Sequence, residues 1–227
     1  DRKAGNMPNL SSSLCRLGMA YIRLGEWDKG EQYLNEALNI AQRLDLFRQI
    51  AWSAYDLGIL YGLHKGEYAK AQEFLEKAVG KLQHAQAKYD QMWVSIVLVW
   101  IYIESGKLSE ANDLLNSIRK FAIETSDKFL TVIAEMLRGM YFRAQKKWEE
   151  SIEYFEKSRE YEYTYLKRWF VYHFARIFLC EYARVYVERN QEGDREKARS
   201  LLNEALEIFQ KLGAKKEIER TMKTLEA

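Results

Sequence analysis

Small residues return along this chain about every forty positions, at Gly18, Gly58, Val99, Gly139 and Ala183, with spacings of 40, 41, 40 and 44. Two more registers travel with the first. One is Gly25, Gly66, Gly106, Lys146 and Gly193; the other is Ala37, Ala78, Ile118, Ser158 and Ala205. A fixed period between about 20 and 50 residues is the mark of a repeat architecture. Between the registers, large apolar residues fall at i, i+3, i+4 and i+7, the spacing of an amphipathic helix. The second register punctuates each pair of helices, because glycine reaches turn conformations that other residues adopt only at a cost. Each copy is therefore a helical hairpin that cannot bury its apolar face alone and must stack on its neighbours. The expected fold class is all-α, an α-solenoid of five hairpins, which offers an extended surface in place of a walled catalytic pocket.

The first copy reads Leu17-Gly18-x-x-Tyr21-x-x-x-Gly25-x-Trp27-x-x-Gly30-x-x-x-Leu34-x-x-Ala37. The second has Leu57-Gly58, Tyr61, Gly66, Tyr68, Ala71, Leu75 and Ala78, with one extra residue before the turn. The third has Leu98-Val99, Tyr102, Gly106, Leu108, Ala111, Leu115 and Ile118. The fourth has Gly139, Phe142, Lys146, Trp148, Ser151, Phe155 and Ser158, and the last Ala183, Tyr186, Gly193, Ala198, Leu202 and Ala205 with a longer turn. This pattern resembles the tetratricopeptide repeat. The usual repeat of that family is about 34 residues, so forty means roughly three more per helix. The longer form is similar to the sensor regions of bacterial and archaeal signal-transduction ATPases, nucleotide cyclases and transcription activators. The resemblance implies a right-handed superhelix of five hairpins closed by a C-terminal capping helix, and a role in binding other proteins.

Residues 1–10 read as a flexible lead-in or linker, and 11–227 as a single solenoid. Its repeats are expected at 11–44, 46–87, 89–125, 127–163 and 165–212, with the cap at 215–226. The one proline, Pro8, suits a helical chain, because proline inside a helix costs about 3 kcal/mol. The run Met92–Ile103 is almost wholly apolar, yet it falls short of the ~20 residues that a bilayer needs. It reads as a core helix. Cys15 and Cys180 lie in the first and last repeats, too far apart for a disulfide, and read as small buried hydrophobes in a reducing, cytoplasmic setting. The net charge of +2 predicts neither nucleic acid nor a membrane surface as partner.

Positions 4, 8 and 11 of each repeat point at neighbouring helices, while positions 2, 5, 9 and 12 are turned toward the concave side. The concave set is Ser12, Cys15, Met19 and Ile22; Trp52, Tyr55, Ile59 and Gly62; Trp93, Ile96, Trp100 and Ile103; Ile133, Met136, Met140 and Arg143; and Ile177, Cys180, Arg184 and Val187. The candidate binding residues are Trp52, Tyr55, Ile59, Trp93, Ile96, Trp100, Met136, Met140, Arg143 and Arg184. An apolar patch left to water usually marks a binding surface, and methionine adds adaptability suited to a peptide or helix. The alternative is a superhelix that fills its own lumen, with Trp93 and Trp100 packed against facing helices. Trp27 and Trp148 stand at the resembled family's structural aromatic position. Family members that clamp chaperone tails use Lys, Asn and Arg at positions 5 and 9; pairs such as Cys15/Met19 and Ile96/Trp100 exclude that clamp here.

The aromatic-rich stretch from Glu160 to Phe174 could stack nucleobases, but a join between hairpins packed with tyrosines accounts for it better. His64, His84 and His173 lack metal-ligand spacing, and no phosphate-binding loop or nucleophile elbow is present. The expected function is a non-catalytic interaction or regulatory sensor module, part of a larger signalling protein, that needs no cofactor. Its expected partner is a protein or peptide, another domain of the same polypeptide included. A sensor for a small molecule or signalling peptide, and a self-associating module forming a homodimer, are the alternatives.

Overall fold

The computed structural model describes residues 6–169 and 174–226, the side chains at 160–175 and 177 excepted. All regular structure among them is helical: α1 (Met7–Arg23), α2 (Trp27–Arg43), α3 (Phe47–Ile59), α4 (Tyr68–His84), α5 (Lys88–Glu104), α6 (Leu108–Glu124), α7 (Lys128–Ala144), α8 (Trp148–Trp169), α9 (Cys180–Arg189), α10 (Asp194–Leu212) and α11 (Lys215–Glu226). The helices pack in consecutive pairs, as an all-α helical-repeat solenoid requires. The chain forms two compact units, Asp1–Lys107 and Leu108–Ala227. In the first, α1 packs on α2, α2 on α3, α3 on α4 and α4 on α5. In the second, α6 packs on α7, α7 on α8, α9 on α10 and α10 on α11.

The three registers do the jobs their chemistry suits. At the α1/α2 crossing a Cβ on Gly18 would stand 2.8 Å from Cγ of Leu34 and 3.0 Å from the carbonyl oxygen of Gly30. Any side chain there would force the two helices apart. Ala37, Ala78, Ile118, Ser158 and Ala205 are all fully buried. The polar member of that set is satisfied: Ser158 donates to the carbonyl of Phe155 at 2.7 Å. In the turn register Gly66 has φ of +73°, and Lys146 is left-handed too, at +59°. The fourth turn therefore keeps the shape of the others although its residue suits it poorly.

Departures from the expected boundaries have local causes. Helix α1 starts at Met7 and not at residue 11, because Asn6 accepts a hydrogen bond from the Asn9 amide at 3.2 Å and Pro8 sits in the first turn, where its missing N–H matters least. The extra residue of the second copy is absorbed by a π-helical turn, Leu60–Lys65, that extends α3. Such a turn takes in one residue without unwinding the helix, and it brings His64 into the interior beside Trp27, ring centroids 5.8 Å apart. A second π-helical turn, Phe174–Leu179, leads into α9. Helix α8 runs on to Trp169, beyond the expected end at 163; the side chains of the Glu160–Phe174 aromatics lie outside the described residues. The long fifth turn is pinned by Asp194, which pairs with Arg189 through two hydrogen bonds of 2.7 and 2.9 Å and accepts from the Gln191 amide at 2.8 Å. That guanidinium holds the Asp194 carboxyl below the usual carboxylate range.

A polar ladder joins successive hairpins inside each unit. Tyr61 donates to Glu31, and Tyr102 to Glu76 at 2.8 Å. Arg138 reaches Asn112 and Asn116 at 2.9 and 2.7 Å, and Tyr182 donates to Glu156. In the second and third copies the tyrosine of the repeat thus ties the first helix of its hairpin to the second helix of the hairpin before it; in the last two, Arg138 and Tyr182, one turn earlier in the helix, do so.

Candidate functional site

Exposure of the concave positions follows the length of the first helix in each repeat. At position 2, near the helix start, Ser12, Trp52, Trp93 and Ile133 are all half-buried. At position 9, Met19 and Arg184 are half-buried while Ile59, Trp100 and Met140 are buried. At position 12, Ile22, Gly62, Ile103 and Arg143 are buried, and of the described positions Val187 alone is exposed. The side chains open toward solvent at the N-terminal turns of these helices and close near the hairpin turns. Ile177, the remaining position-2 residue, lies outside the described side chains.

The ten candidate residues divide accordingly. Ile59, Ile96, Trp100, Met136, Met140 and Arg143 are buried, so they do not form an open apolar wall. Trp100 is 4 % exposed and meets the ring of Tyr68 edge-on at 6.1 Å. Arg143 is held by Glu188, its Nη1 2.9 Å from Oε1, and lies 3.8 Å from Glu181. Trp52, Tyr55, Trp93 and Arg184 keep part of their surface. Trp52 and Tyr55 form an edge-to-face pair at 5.4 Å, and Trp93 makes another with Tyr89 at 6.4 Å.

The first unit contains a cleft of about 520 Å³ between α1 and α3. Trp52 and Met19 form its apolar wall, Arg16, Arg23 and Arg48 stand around it, and Cys15, Ser53 and Asp56 lie at its floor. All three arginines are exposed, and Arg48 also pairs with Asp90 at 3.1 Å. The floor is tied together: the Cys15 thiol donates to Asp56 Oδ2 at 3.0 Å, and Ser53 donates to the Cys15 sulfur at 3.8 Å. Burial pushes the Asp56 carboxyl up to about 7, against the opposing pull of the thiol hydrogen bond and the Arg23 charge. Burial, then the Asp56 charge, lifts the Cys15 thiol well above its usual range, so the sulfur stays protonated and is no nucleophile. Near neutral pH the cleft therefore sets three guanidiniums against one carboxyl that is only partly ionised. Such a surface attracts an anionic group and accepts an apolar one beside it.

Of this cleft, the concave register supplied Trp52 as a candidate. The three arginines fall between the register positions, at 16, 23 and 48. They show in the sequence only as basic residues recurring on the α1 and α3 segments, a pattern that exposed helix faces share. Among the described residues no helix is long and apolar enough to cross a membrane. Both cysteines are free thiols.

No curated protein matches the chain. A family model does: residues 9–84, which hold the first two hairpins and the whole α1/α3 cleft, match the tetratricopeptide repeat. The registers and the paired helices agree with this match, and the segment 9–84 is similar to the tetratricopeptide repeat family.

Proposed function

We propose that the protein is a non-catalytic interaction or regulatory sensor module of a larger signalling protein, and that the α1/α3 cleft of its first unit is a peptide-contact surface. Tetratricopeptide repeats generally mediate protein–protein interaction. The observation that carries the finer reading is the composition of the cleft, where a half-buried tryptophan and a methionine lie among three exposed arginines. The ligand that suits it is an extended segment or helix with an aspartate or glutamate next to a large apolar residue. A guanidinium takes a carboxylate through two parallel hydrogen bonds, and tryptophan and arginine are the residues most often found at the energetic centre of interfaces. Two free thiols support a cytoplasmic setting, and the near-neutral charge supports a protein partner over nucleic acid or a membrane.

Selection of peptides from a random library on the whole protein, followed by affinity measurement on Trp52→Ala and Arg16→Glu, tests this. Selected peptides should be rich in acidic–apolar pairs, and each substitution should weaken them by about tenfold or more with the far-UV spectrum unchanged. Peptides with no acidic bias, or binding indifferent to both substitutions, would refute the assignment.

A further inference from the structure

A second cleft, of about 360 Å³, lies wholly inside the second unit, between α9 and α11. Its charges are sorted by depth. Glu181 and Glu217 form the floor, with side chains 4 % exposed. Arg176, at 17 %, bridges them, 3.5 Å from Glu181 and 3.3 Å from Glu217. At the mouth stand Arg184 and Arg220, 42 % and 40 % exposed, with Lys223 in the open; Arg184 also holds Glu188, 34 % exposed, at 2.7 Å. Four cations thus line the cleft with two carboxylates. The thiol of Cys180 adds no charge, because burial pushes it up to about 12.

The order of these groups decides what the cleft admits. An approaching anion meets Arg184, Arg220 and Lys223 first. The two carboxylates lie deeper, each already beside guanidiniums: Arg143, Arg176 and Arg184 lie within 3.8 Å of Glu181, and Arg176 and Arg220 within 3.3 Å of Glu217. A cation would face the opposite order, since Glu188 beside the mouth is already taken up by Arg184. Ala183, Val187 and Leu202 give one apolar side, and the volume sits at the small end of the range for organic ligands. A folded partner or a helix does not fit it.

We propose that this cleft is a binding site for a small organic anion, a carboxylate or phosphate head with a short apolar body. The head bridges Arg184 of α9 to Arg220 and Lys223 of α11, and the body rests on Val187 and Leu202. Because the ligand spans two helices, occupancy fastens the last helix to the rest of the unit. The site is independent of the peptide-contact surface, which lies in the other unit and shares no residue with it.

Titration calorimetry on the full chain, with hexanoate, hexyl phosphate and hexylammonium at matched ionic strength, tests the site. At least one of the two anions should bind saturably, with one site per chain and a dissociation constant of about 1 mM or tighter; the tighter of the two identifies the head group. Hexylammonium should not bind. Arg184→Gln combined with Arg220→Gln should weaken the anion by about tenfold or more, and Lys223→Gln, at an exposed position, by about threefold. Amide hydrogen exchange in α11 should slow when the anion is bound. Neither anion binding saturably, equal binding of hexylammonium, or affinity unchanged in both variants would each overturn the proposal. A double variant that loses its helical spectrum leaves Lys223→Gln to decide.

Discussion

The hairpin of α3 and α4 contains two glycines to which the structure assigns opposite effects. Gly58 sits at the helix crossing, where an added Cβ would stand 2.6 Å from Cγ of Leu75 and 2.7 Å from Cδ2. Leu75 is fully buried, and rotation about its Cβ–Cγ bond leaves the γ-carbon in place, so only a change at Cα–Cβ within the packed core or a backbone shift would move it aside. It would have to retreat by about 0.8 Å to reach ordinary contact at 3.4 Å. Forcing a methyl into a packed core costs about 1–3 kcal/mol, while alanine gains about 1 kcal/mol over glycine in a helix. Gly58→Ala should therefore destabilise by about 1 kcal/mol, the midpoint of the difference. Gly80 lies in the interior of α4 with no atom within 4 Å of the same added carbon. There the propensity gain stands alone, and Gly80→Ala should stabilise by about 0.5–1 kcal/mol. For a chain of this size 1 kcal/mol moves the melting temperature by about 2–4 °C. Thermal unfolding should place the two variants on opposite sides of the parent, about 3–8 °C apart. Shifts of the same sign would refute the reading of the first register as a close approach and leave glycine there without a packing reason.

Three other perturbations probe separate features. Lys146→Gly relieves a left-handed non-glycine residue, φ +59°; that strain of about 1–2 kcal/mol outweighs the entropy glycine adds to the unfolded chain, so the melting temperature should rise by about 1–4 °C. Asp56 holds its proton up to about pH 7 in the fold and only to about 4 when unfolded, so the folded state binds more protons between those values and stability must fall as pH rises from 4 to 7. Urea titrations of Asp56→Asn should show a stability gain at pH 8 that vanishes at pH 4; a gain equal at both would refute the shift. Arg143→Met removes a buried partner of Glu188 and Glu181 and should cost about 3 kcal/mol, much of it recovered when Glu181→Gln is added, a coupling that a double-mutant cycle in urea would measure.

The hairpins were legible because a repeat states its constraint five times. A single small residue at position 18 says little, but the set at 18, 58, 99, 139 and 183 has no explanation except a recurring contact, and Gly58 and Gly139 make it against Leu75 and Phe155. The extra residue of the second copy was visible as a broken spacing, but its consequence was not. Whether it lengthens the turn or becomes a π-helical turn depends on tertiary contacts, here on burying His64 beside Trp27, and periodicity carries no information about that. The inter-hairpin ladder escaped for a related reason. Tyr61 and Glu31 are 30 positions apart, and each alone reads as a residue with a wet edge.

The concave wall shows where such reading stops. Helical register fixes the direction in which a side chain leaves its own helix, and by it Trp52 and Trp100 are assigned to one face. It does not fix what stands above that side chain. Trp52, at the start of α3, borders the arginine-lined cleft, whereas Trp100, two turns further along α5 than its position-2 counterpart Trp93, is 4 % exposed. The difference lies in distance from the hairpin turn, a coordinate along the helix axis that the period of forty repeats identically in every copy. Hydrophobicity cannot supply it, since tryptophan stands at both depths. Charge does better: an arginine outside the core register, at 16, 23 or 48, has to keep its guanidinium in water or beside a carboxylate. The open parts of a helical-repeat surface are therefore better sought where charged residues crowd an aromatic at the start of the first helix than where the apolar run is longest. In this chain that rule selects Trp52 and passes over the apolar segment from Met92 to Ile103, whose residues, except for half-buried Trp93 and Tyr102, are buried.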